Sequence, residues 1–140
     1  PLYAVDPNTG SIEFAKNKKL HLLDPFLWHL CEEWCMQEVA RKTETIAEAL
    51  LATHIARFLH KKSIGKRLSD GVSYWKNGCE IDVVARTKGA LFGFEMKWSD
   101  NEKAFPFKAG PIKKITYVSK NFFKETQPKA IPLAMLLAML

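Results

Sequence analysis

Most of the predicted sheet comes from one stretch, Val72–Trp98, which reads VSYWKNGCEIDVVARTKGALFGFEMKW. The turn signals Asn77-Gly78 and Thr87-Lys88-Gly89 divide it into three runs typical of strands: 72–76, 80–86 and 91–98. Strands joined by such short links pair antiparallel with their neighbours. The stretch therefore predicts a three-stranded antiparallel meander.

Charged residues on the second and third of these strands fall at alternate positions. Side chains two apart in a strand share a face, so Glu80 points the same way as Asp82, and Glu95 the same way as Lys97. We expect the intervening residues to face the opposite, packed side: Ile81, Val83, Phe94 and Met96. If the two strands pair around the 87–89 turn, Asp82 and Glu95 stand side by side.

Two neighbouring carboxylates repel each other unless a positive charge lies between them. Asp82 and Glu95 therefore indicate a site for a hard divalent cation, Mg²⁺ or Mn²⁺. Lys97, on the same face, is placed to steer a water molecule or to stabilise a developing negative charge. Glu80 is either a further ligand or a solvated edge residue, and we favour the solvated interpretation. The alternative for the whole group is an exposed Glu95–Lys97 pair, worth under about 1 kcal/mol.

Upstream of the meander the sequence predicts two helices and a hairpin. Thr43–Lys62 carries a capping-box pattern near its start and cations near its end, which makes it the best helix in the chain. A second helix, from Pro25 to about Ala40, follows the start signal Asp24-Pro25. Residues 2–5 and 11–15 are typical of a hairpin around a turn cluster at 6–10.

Downstream of the meander we expect two more strands, at 115–118 and 131–139. Pro106 limits any helix between residues 101 and 111 to a short one. The uncharged C-terminal run from Ile131 to Leu140 is too short for a membrane helix, which needs about 20 residues. We therefore interpret it as a buried strand.

Asp82 together with Glu95-Met96-Lys97 resembles the motif of the PD-(D/E)xK nuclease superfamily, although Ile81 stands where the name-giving proline would be. The superfamily has an αβββαβ core, in which the helix before the first strand often presents a glutamate to the metal. Glu48 is the residue that matches it here. The resemblance implies a restriction-endonuclease-like α/β fold with a mixed central sheet flanked by helices. It also implies that Asp82, Glu95 and Glu48 hold Mg²⁺ or Mn²⁺, and that Lys97 completes the catalytic set.

The order of the motifs resembles the C-terminal region of archaeal and bacterial P-loop ATPases of the AAA-like class. The segments that carry this likeness are 18–25, the Glu48 helix, 74–82 and 95–98. The resemblance implies an N-terminal extension at 1–42, with the hairpin as the remnant of a winged-helix region, and a nuclease-like domain at 43–140. It also implies an ATPase domain in the same full-length protein. Because no G-x-x-x-x-G-K-[ST] motif occurs here, an ATP site would lie outside this sequence, and we expect the chain to be a piece of a longer protein.

The charge balance favours an anionic partner. Lysine and arginine number 21 against 15 acidic residues, for a net charge of +6. With the nuclease resemblance, that partner is nucleic acid, and DNA first of all. The candidate contacts are the densest basic segment and an aromatic residue beside the proposed site: Arg57, Lys61, Lys62, Lys66, Arg67 and Trp98. A solvated helix end and a packed tryptophan are the alternatives.

The remaining features concern location and class of function. Three cysteines and the lack of a secretory signal pattern predict a cytoplasmic protein without a membrane segment. The leading hypothesis is a metal-dependent DNA phosphodiesterase domain. The alternative is a catalytically inactive module of the same fold that binds nucleic acid, regulates the ATPase or self-associates into a homo-oligomer. A third possibility is a structural domain whose basic surface serves only solubility.

Overall fold

The computed structural model describes residues 1–24, 27, 30, 33–34, 43–62, 67–68, 70–100, 110–126 and 129–140. Most of the helix predicted at 25–40 lies outside these residues. So do Lys66 and most of the segment at 101–111.

The described residues form a seven-stranded sheet in the spatial order β2-β1-β3-β4-β5-β6-β7, together with two helices. The strands are β1 (Tyr3–Val5), β2 (Ile12–Glu13), β3 (Val72–Asn77), β4 (Cys79–Thr87), β5 (Ala90–Lys97), β6 (Ile112–Ser119) and β7 (Lys129–Pro132). The helices are α1 (Thr43–Lys61) and α2 (Leu133–Met139). No helix in the described part of the chain is both long and apolar enough to cross a membrane.

The predicted meander is confirmed, because β3, β4 and β5 pair antiparallel in sequence order. The β4–β5 hairpin closes with Thr87 opposite Ala90, and Lys88 and Gly89 form its two-residue turn. Their φ angles of 47° and 78° are both positive, as a type I′ turn requires. This turn fixes the register that brings the ends of β4 and β5 together.

Parallel pairing on both sides of the meander makes the sheet mixed. β6 runs parallel to β5, and β7 runs parallel to β6. On the other side β1 runs parallel to β3, while β2 pairs antiparallel with β1 as the predicted hairpin. The hairpin that we assigned to an N-terminal extension thus forms one edge of the same sheet. The expected α/β class with a mixed sheet is confirmed.

A bulge in β4 changes which side chains face which way. Ser73 pairs with Val84 but Trp75 pairs with Ile81, so Asp82 and Val83 together stand opposite a single β3 residue. Ile81 and Val84 consequently pack in one core cluster while Val83 packs in another. The expectation that Ile81 and Val83 share a face is therefore wrong, because a bulge interrupts the strict alternation of a strand. Bulges often lie beside functional sites, where they re-aim a side chain.

The C-terminal strand predicted at 131–139 is also wrong. β7 ends at Pro132, and α2 follows at once over Leu133–Met139. Its residues are leucine, alanine and methionine, which are strong helix formers without branching at Cβ. Proline is tolerated at a helix start because the N–H that it lacks would have no partner there. Both described helices contribute buried residues to the larger core cluster, so they cover the same face of the sheet.

Candidate functional site

A cleft of about 300 Å³ opens where the first turns of α1 meet the ends of β4 and β5. It collects acidic side chains from all three elements. Its lining consists of Glu44, Thr45, Glu48, Glu80, Asp82, Glu95, Met96 and Lys97. The four residues that the sequence predicted as catalytic or metal-binding, Glu48, Asp82, Glu95 and Lys97, therefore share one cleft.

Asp82 lies at the point where β4 and β5 stop pairing. The last residues paired at this end of the hairpin are Val83 and Phe94. Beyond them the backbone N–H of Met96 donates a hydrogen bond to Asp82 Oδ2 over 2.9 Å. The Asp82 carboxylate thereby takes the place of a backbone partner on β5, next to Glu95. Both carboxylates are buried, since the two residues expose only 9% and 4% of their surface.

The positive charge that these acids require comes from Lys19. Its Nζ lies 2.8 Å from Glu48 Oε1 and 3.0 Å from Asp82 Oδ1, and it also contacts Glu80. Backbone hydrogen bonds between Lys19 and Leu2, of 2.8 and 3.1 Å, hold the lysine beside β1. Burial alone would lower the pKa of Lys19, but the surrounding carboxylates raise it well above its usual value. Lys19 is therefore an ammonium ion at any physiological pH.

Lys97 compensates the remaining acid of the cleft. Its Nζ lies 2.7 Å from Glu95 Oε1. Burial, together with the nearby charge of Asp82, raises the pKa of Glu95 to about 7 in spite of this pair. Glu95 Oε2 is buried without a hydrogen-bond partner among the described residues. The cleft thus contains a carboxylate oxygen with unused capacity to bind a proton or a cation.

Glu48 is the acid that α1 contributes, and a histidine lies beside it. Burial and the charge of Asp82 raise the pKa of Glu48, although Lys19 opposes the change. His21 Nε2 lies 3.5 Å from Glu48 Oε1. Burial and the charge of Lys19 lower the pKa of His21, so its imidazole is neutral at pH 7. Lys19 and His21 together make the N-terminal segment one wall of the site.

Glu80 is not the solvated edge residue that we expected. It lines the cleft, contacts Lys19, and lies 3.2 Å from Lys76 Nζ through its second oxygen. Burial would raise its pKa, but the two lysines hold the pKa below its usual value. Glu80 therefore stays ionised and adds to the negative charge at the mouth of the cleft.

The carboxylates fit a hard divalent cation in their chemistry, since Mg²⁺ and Mn²⁺ prefer such oxygens, and Glu95 Oε2 is unused. Their present arrangement does not form a ligand cage. In the described part of the chain, no group of three or more histidine, cysteine, aspartate or glutamate side chains is disposed to hold a metal ion. Lys19 supplies the positive charge between Glu48, Glu80 and Asp82 instead.

The predicted nucleic-acid contacts do not gather at this cleft. Arg57, Lys61 and Lys62 are exposed at the far end of α1. At 1.5 Å per residue, Lys61 lies roughly 20 Å along the helix axis from Glu48. Arg67 is exposed near the same end, Trp98 follows β5 and is 37% exposed, and Lys66 lies outside the described residues.

The sequence analysis gave no role to Lys19 or His21, which the structure brings to the site. Both lie in an N-terminal segment whose residues are far from the acids in sequence, and only the β1–β3 pairing brings them close. The available signal was their spacing, because residues two apart in an extended segment point the same way. A lysine and a histidine so spaced, before an acid-bearing helix, could have indicated a charged wall.

A protein-family model matches residues 4–107, and the chain therefore belongs to the family described as archaeal and bacterial proteins of unknown function, DUF234. The matched range contains the whole cleft, including Lys19, Glu48, Asp82 and Lys97. No curated protein and no solved structure gives a significant match. Because the family description assigns no activity, any function has to be argued from the cleft.

Proposed function

We propose that this chain is a metal-dependent phosphodiesterase domain that cleaves DNA, with a PD-(D/E)xK type of site. The observation that carries the proposal is the convergence of Glu48, Asp82, Glu95 and Lys97 in one cleft. These residues come from a helix and two strands that lie apart in sequence. An incidental Glu-x-Lys pattern on a strand gives no reason for an aspartate and a helix glutamate to meet it.

The order of the elements supports the finer assignment to a restriction-endonuclease-like fold. α1 precedes the antiparallel meander β3-β4-β5, and β6 then adds parallel to β5. This is the αβββ order of the superfamily core, followed by a further parallel strand. The acids lie at the splayed ends of the second and third meander strands, as the motif spacing requires.

In the proposed site Glu48, Asp82 and Glu95 would hold Mg²⁺ or Mn²⁺. When bound, such a cation supplies electrostatic stabilisation of the negative charge that develops on the phosphate oxygens. Lys97 would position the attacking water, and its contact with Glu95 keeps its ammonium group inside the cleft. Met96, through its backbone N–H, fixes the Asp82 carboxylate for this task.

A second function, a nucleic-acid-binding or regulatory module without catalysis, is favoured by one specific observation. Lys19 and Lys97 neutralise the acids of the cleft through side chains of the protein alone. A site whose charges are already compensated is stable without a metal ion. Under either function we propose DNA as the partner, an ATPase domain in the full-length protein as the neighbour, and self-association as a further possible role.

The experiment compares cleavage of single-stranded, duplex and branched DNA in Mg²⁺, in Mn²⁺ and in EDTA. The variants are Asp82→Asn and Lys97→Ala, with Asp100→Asn as the matched control. Asp100 is an exposed acid whose partners, Lys120 and Asn121, lie outside the cleft. We expect Asp82→Asn and Lys97→Ala each to lower the metal-dependent rate by about 100-fold or more, as loss of a charge-stabilising group does. Cleavage that survives both substitutions would refute the proposal, and absence of both cleavage and metal binding would favour the second function.

A further inference from the structure

A second cavity adjoins the acidic cleft on the side of the N-terminal segment. It has a volume of about 420 Å³ and is lined by Ala4, Lys16, Asn17, Lys18, Lys19, Tyr74, Lys76 and Glu80. We call it the lysine groove. Glu80 lines both the groove and the cleft, so the two adjoin at this side chain. None of the outer lysines was among the contacts that the sequence suggested.

Three lysines of the groove hold their charge where a ligand can reach it. Lys16 and Lys76 are 50% and 68% exposed, and their acidic partners, Glu13 and Glu80, lie 2.6 and 3.2 Å away. Lys18 is exposed, with its Nζ 5.5 Å from the centre of the Tyr3 ring. Pairs as exposed as these hold together weakly, so a phosphate can replace a glutamate at small cost. The fourth lysine, Lys19, is already committed to the acids of the cleft.

An exposed aromatic ring lies on the hairpin that precedes these lysines. Phe14 is 66% exposed, and its ring centre lies 5.0 Å from that of Tyr3 at an interplanar angle of 67°. Tyr3 is the ring that Lys18 also approaches. A bare phenylalanine among lysines offers a face on which a nucleobase can stack.

The segment that carries the lysines is fixed before any ligand arrives. The Tyr74 hydroxyl donates a hydrogen bond to the Asn17 carbonyl over 2.5 Å, and two backbone hydrogen bonds join Lys19 to Leu2. A binding surface that is already ordered loses less entropy when it binds. The groove is therefore suited to a ligand that presents several negative charges in a row.

We infer that the lysine groove and Phe14 bind a single-stranded polynucleotide and lead it to the acidic cleft. Lys16, Lys18 and Lys76 hold its phosphates, and a base stacks on Phe14. Base-tolerant single-strand sites combine a basic groove with exposed aromatic faces. An acidic peptide or an anionic membrane has no need of the aromatic ring. The inference deepens the proposed function, on which it rests for the chemistry of the cleft, by naming the strandedness of the substrate.

The test measures binding of a fluorescein-labelled oligothymidylate of about 20 nucleotides by anisotropy in EDTA, so that cleavage plays no part. We expect the double variant Lys16→Ala/Lys18→Ala to weaken binding at least about tenfold at low salt and to reduce the slope of log K against log salt by about 1. We expect Phe14→Ala to weaken binding about tenfold, as the loss of one stacked base does. The control, Lys61→Ala/Lys62→Ala, removes the same charge from the end of α1 and should change binding less than about twofold.

Two further ligands sharpen the outcome. A duplex of the same length should bind more weakly, and Phe14→Ala should not affect it. Polyglutamate of equal charge should compete poorly. Equal losses in the groove variants and the Lys61/Lys62 control would overturn the inference, and so would polyglutamate that competes as well as DNA. Because Asp82→Asn leaves the groove intact, DNA binding with no cleavage would count against the proposed function alone. Cleavage by a chain whose groove variants bind normally would count against the groove alone.

Discussion

Replacing Lys19 with methionine tests what neutralises the acidic cleft. The substitution removes the ammonium group but keeps an unbranched side chain of similar length. Glu48 Oε1 and Asp82 Oδ1 then lose the cation that lies 2.8 and 3.0 Å from them, and Glu80 loses its inner partner. Three carboxylates would face one another with only Lys76 beside them, at the mouth of the cleft.

The expected magnitude follows from burial. Removing one partner of a fully buried ion pair costs about 3–5 kcal/mol. Here the side chains of Lys19, Glu48 and Asp82 are 21%, 16% and 13% exposed, so water screens part of the repulsion. We expect a loss of about 2–3 kcal/mol in the free energy of unfolding at pH 7.5. For a chain of this length that corresponds to a fall in Tm of roughly 10 °C.

The loss should shrink as the pH falls towards 5. The pKa of Glu48 is already raised, by burial and by Asp82, and removal of Lys19 raises it further. Since the raised pKa lets Glu48 take up a proton in the folded state, the repulsion is present above that pKa and is relieved below it. The difference between wild type and variant is therefore largest at neutral and higher pH.

The assay is urea unfolding followed by tryptophan fluorescence at pH 7.5 and pH 5, in EDTA and then in Mg²⁺ or Mn²⁺. Lys76→Met is the matched control, because it removes a lysine that is 68% exposed and pairs with Glu80 alone. We expect that control to cost less than about 0.5 kcal/mol. Divalent cations should stabilise Lys19→Met more than wild type, because they can replace the lost charge. A Lys19→Met variant as stable as Lys76→Met would refute this account of the cleft, and indifference to divalent cations would count against a metal role for the acids.

Two further substitutions probe the burial of the cleft and the packing of β5. Glu95→Gln should stabilise the metal-free protein by about 1–3 kcal/mol above pH 7, because burial and Asp82 raise the pKa of Glu95 to about 7. Folding then takes up a proton between the usual Glu pKa and 7, so wild type loses stability as pH rises through that window; equal stability of the two proteins at pH 8 would contradict the raised pKa. Gly93→Val should cost about 1–3 kcal/mol in urea unfolding, because a Cβ there would lie 3.2–3.3 Å from Ile81, Ile112 and Ile115, with Gly93→Ala losing less. A valine variant with wild-type stability would show that these isoleucines move aside freely.

Local sequence signals predicted the centre of the fold well. Turn residues at Asn77-Gly78 and Lys88-Gly89 predicted the meander, because positive φ angles and short links leave antiparallel pairing as the natural arrangement. The capping-box pattern of the α1 segment likewise predicted a helix over nearly the observed range. Such signals act within a few residues, so they can be read without knowing the rest of the structure.

The candidate site was only partly predictable. The spacing of Asp82 and Glu95 placed them on facing strands, and the resemblance added Glu48 and Lys97, all of which share the cleft. The strict alternation that we assumed for β4 failed, because the bulge lets Asp82 and Val83 stand opposite one residue of β3. Nothing in the local sequence of β4 marks that bulge, since it arises from how two strands fit their cores.

Sequence alone was enough for the α/β class, the meander and the set of acids, because turn chemistry and side-chain spacing are local properties. The tertiary structure was needed to show what neutralises those acids. Lys19 reaches Glu48 and Asp82 from a segment 29 and 63 residues away, through the parallel pairing of β1 with β3. The lysine groove has the same origin, because it joins residues 16–19 to Lys76 across that pairing. Charges fall off with distance in space rather than along the chain, so only the folded arrangement shows which of them meet.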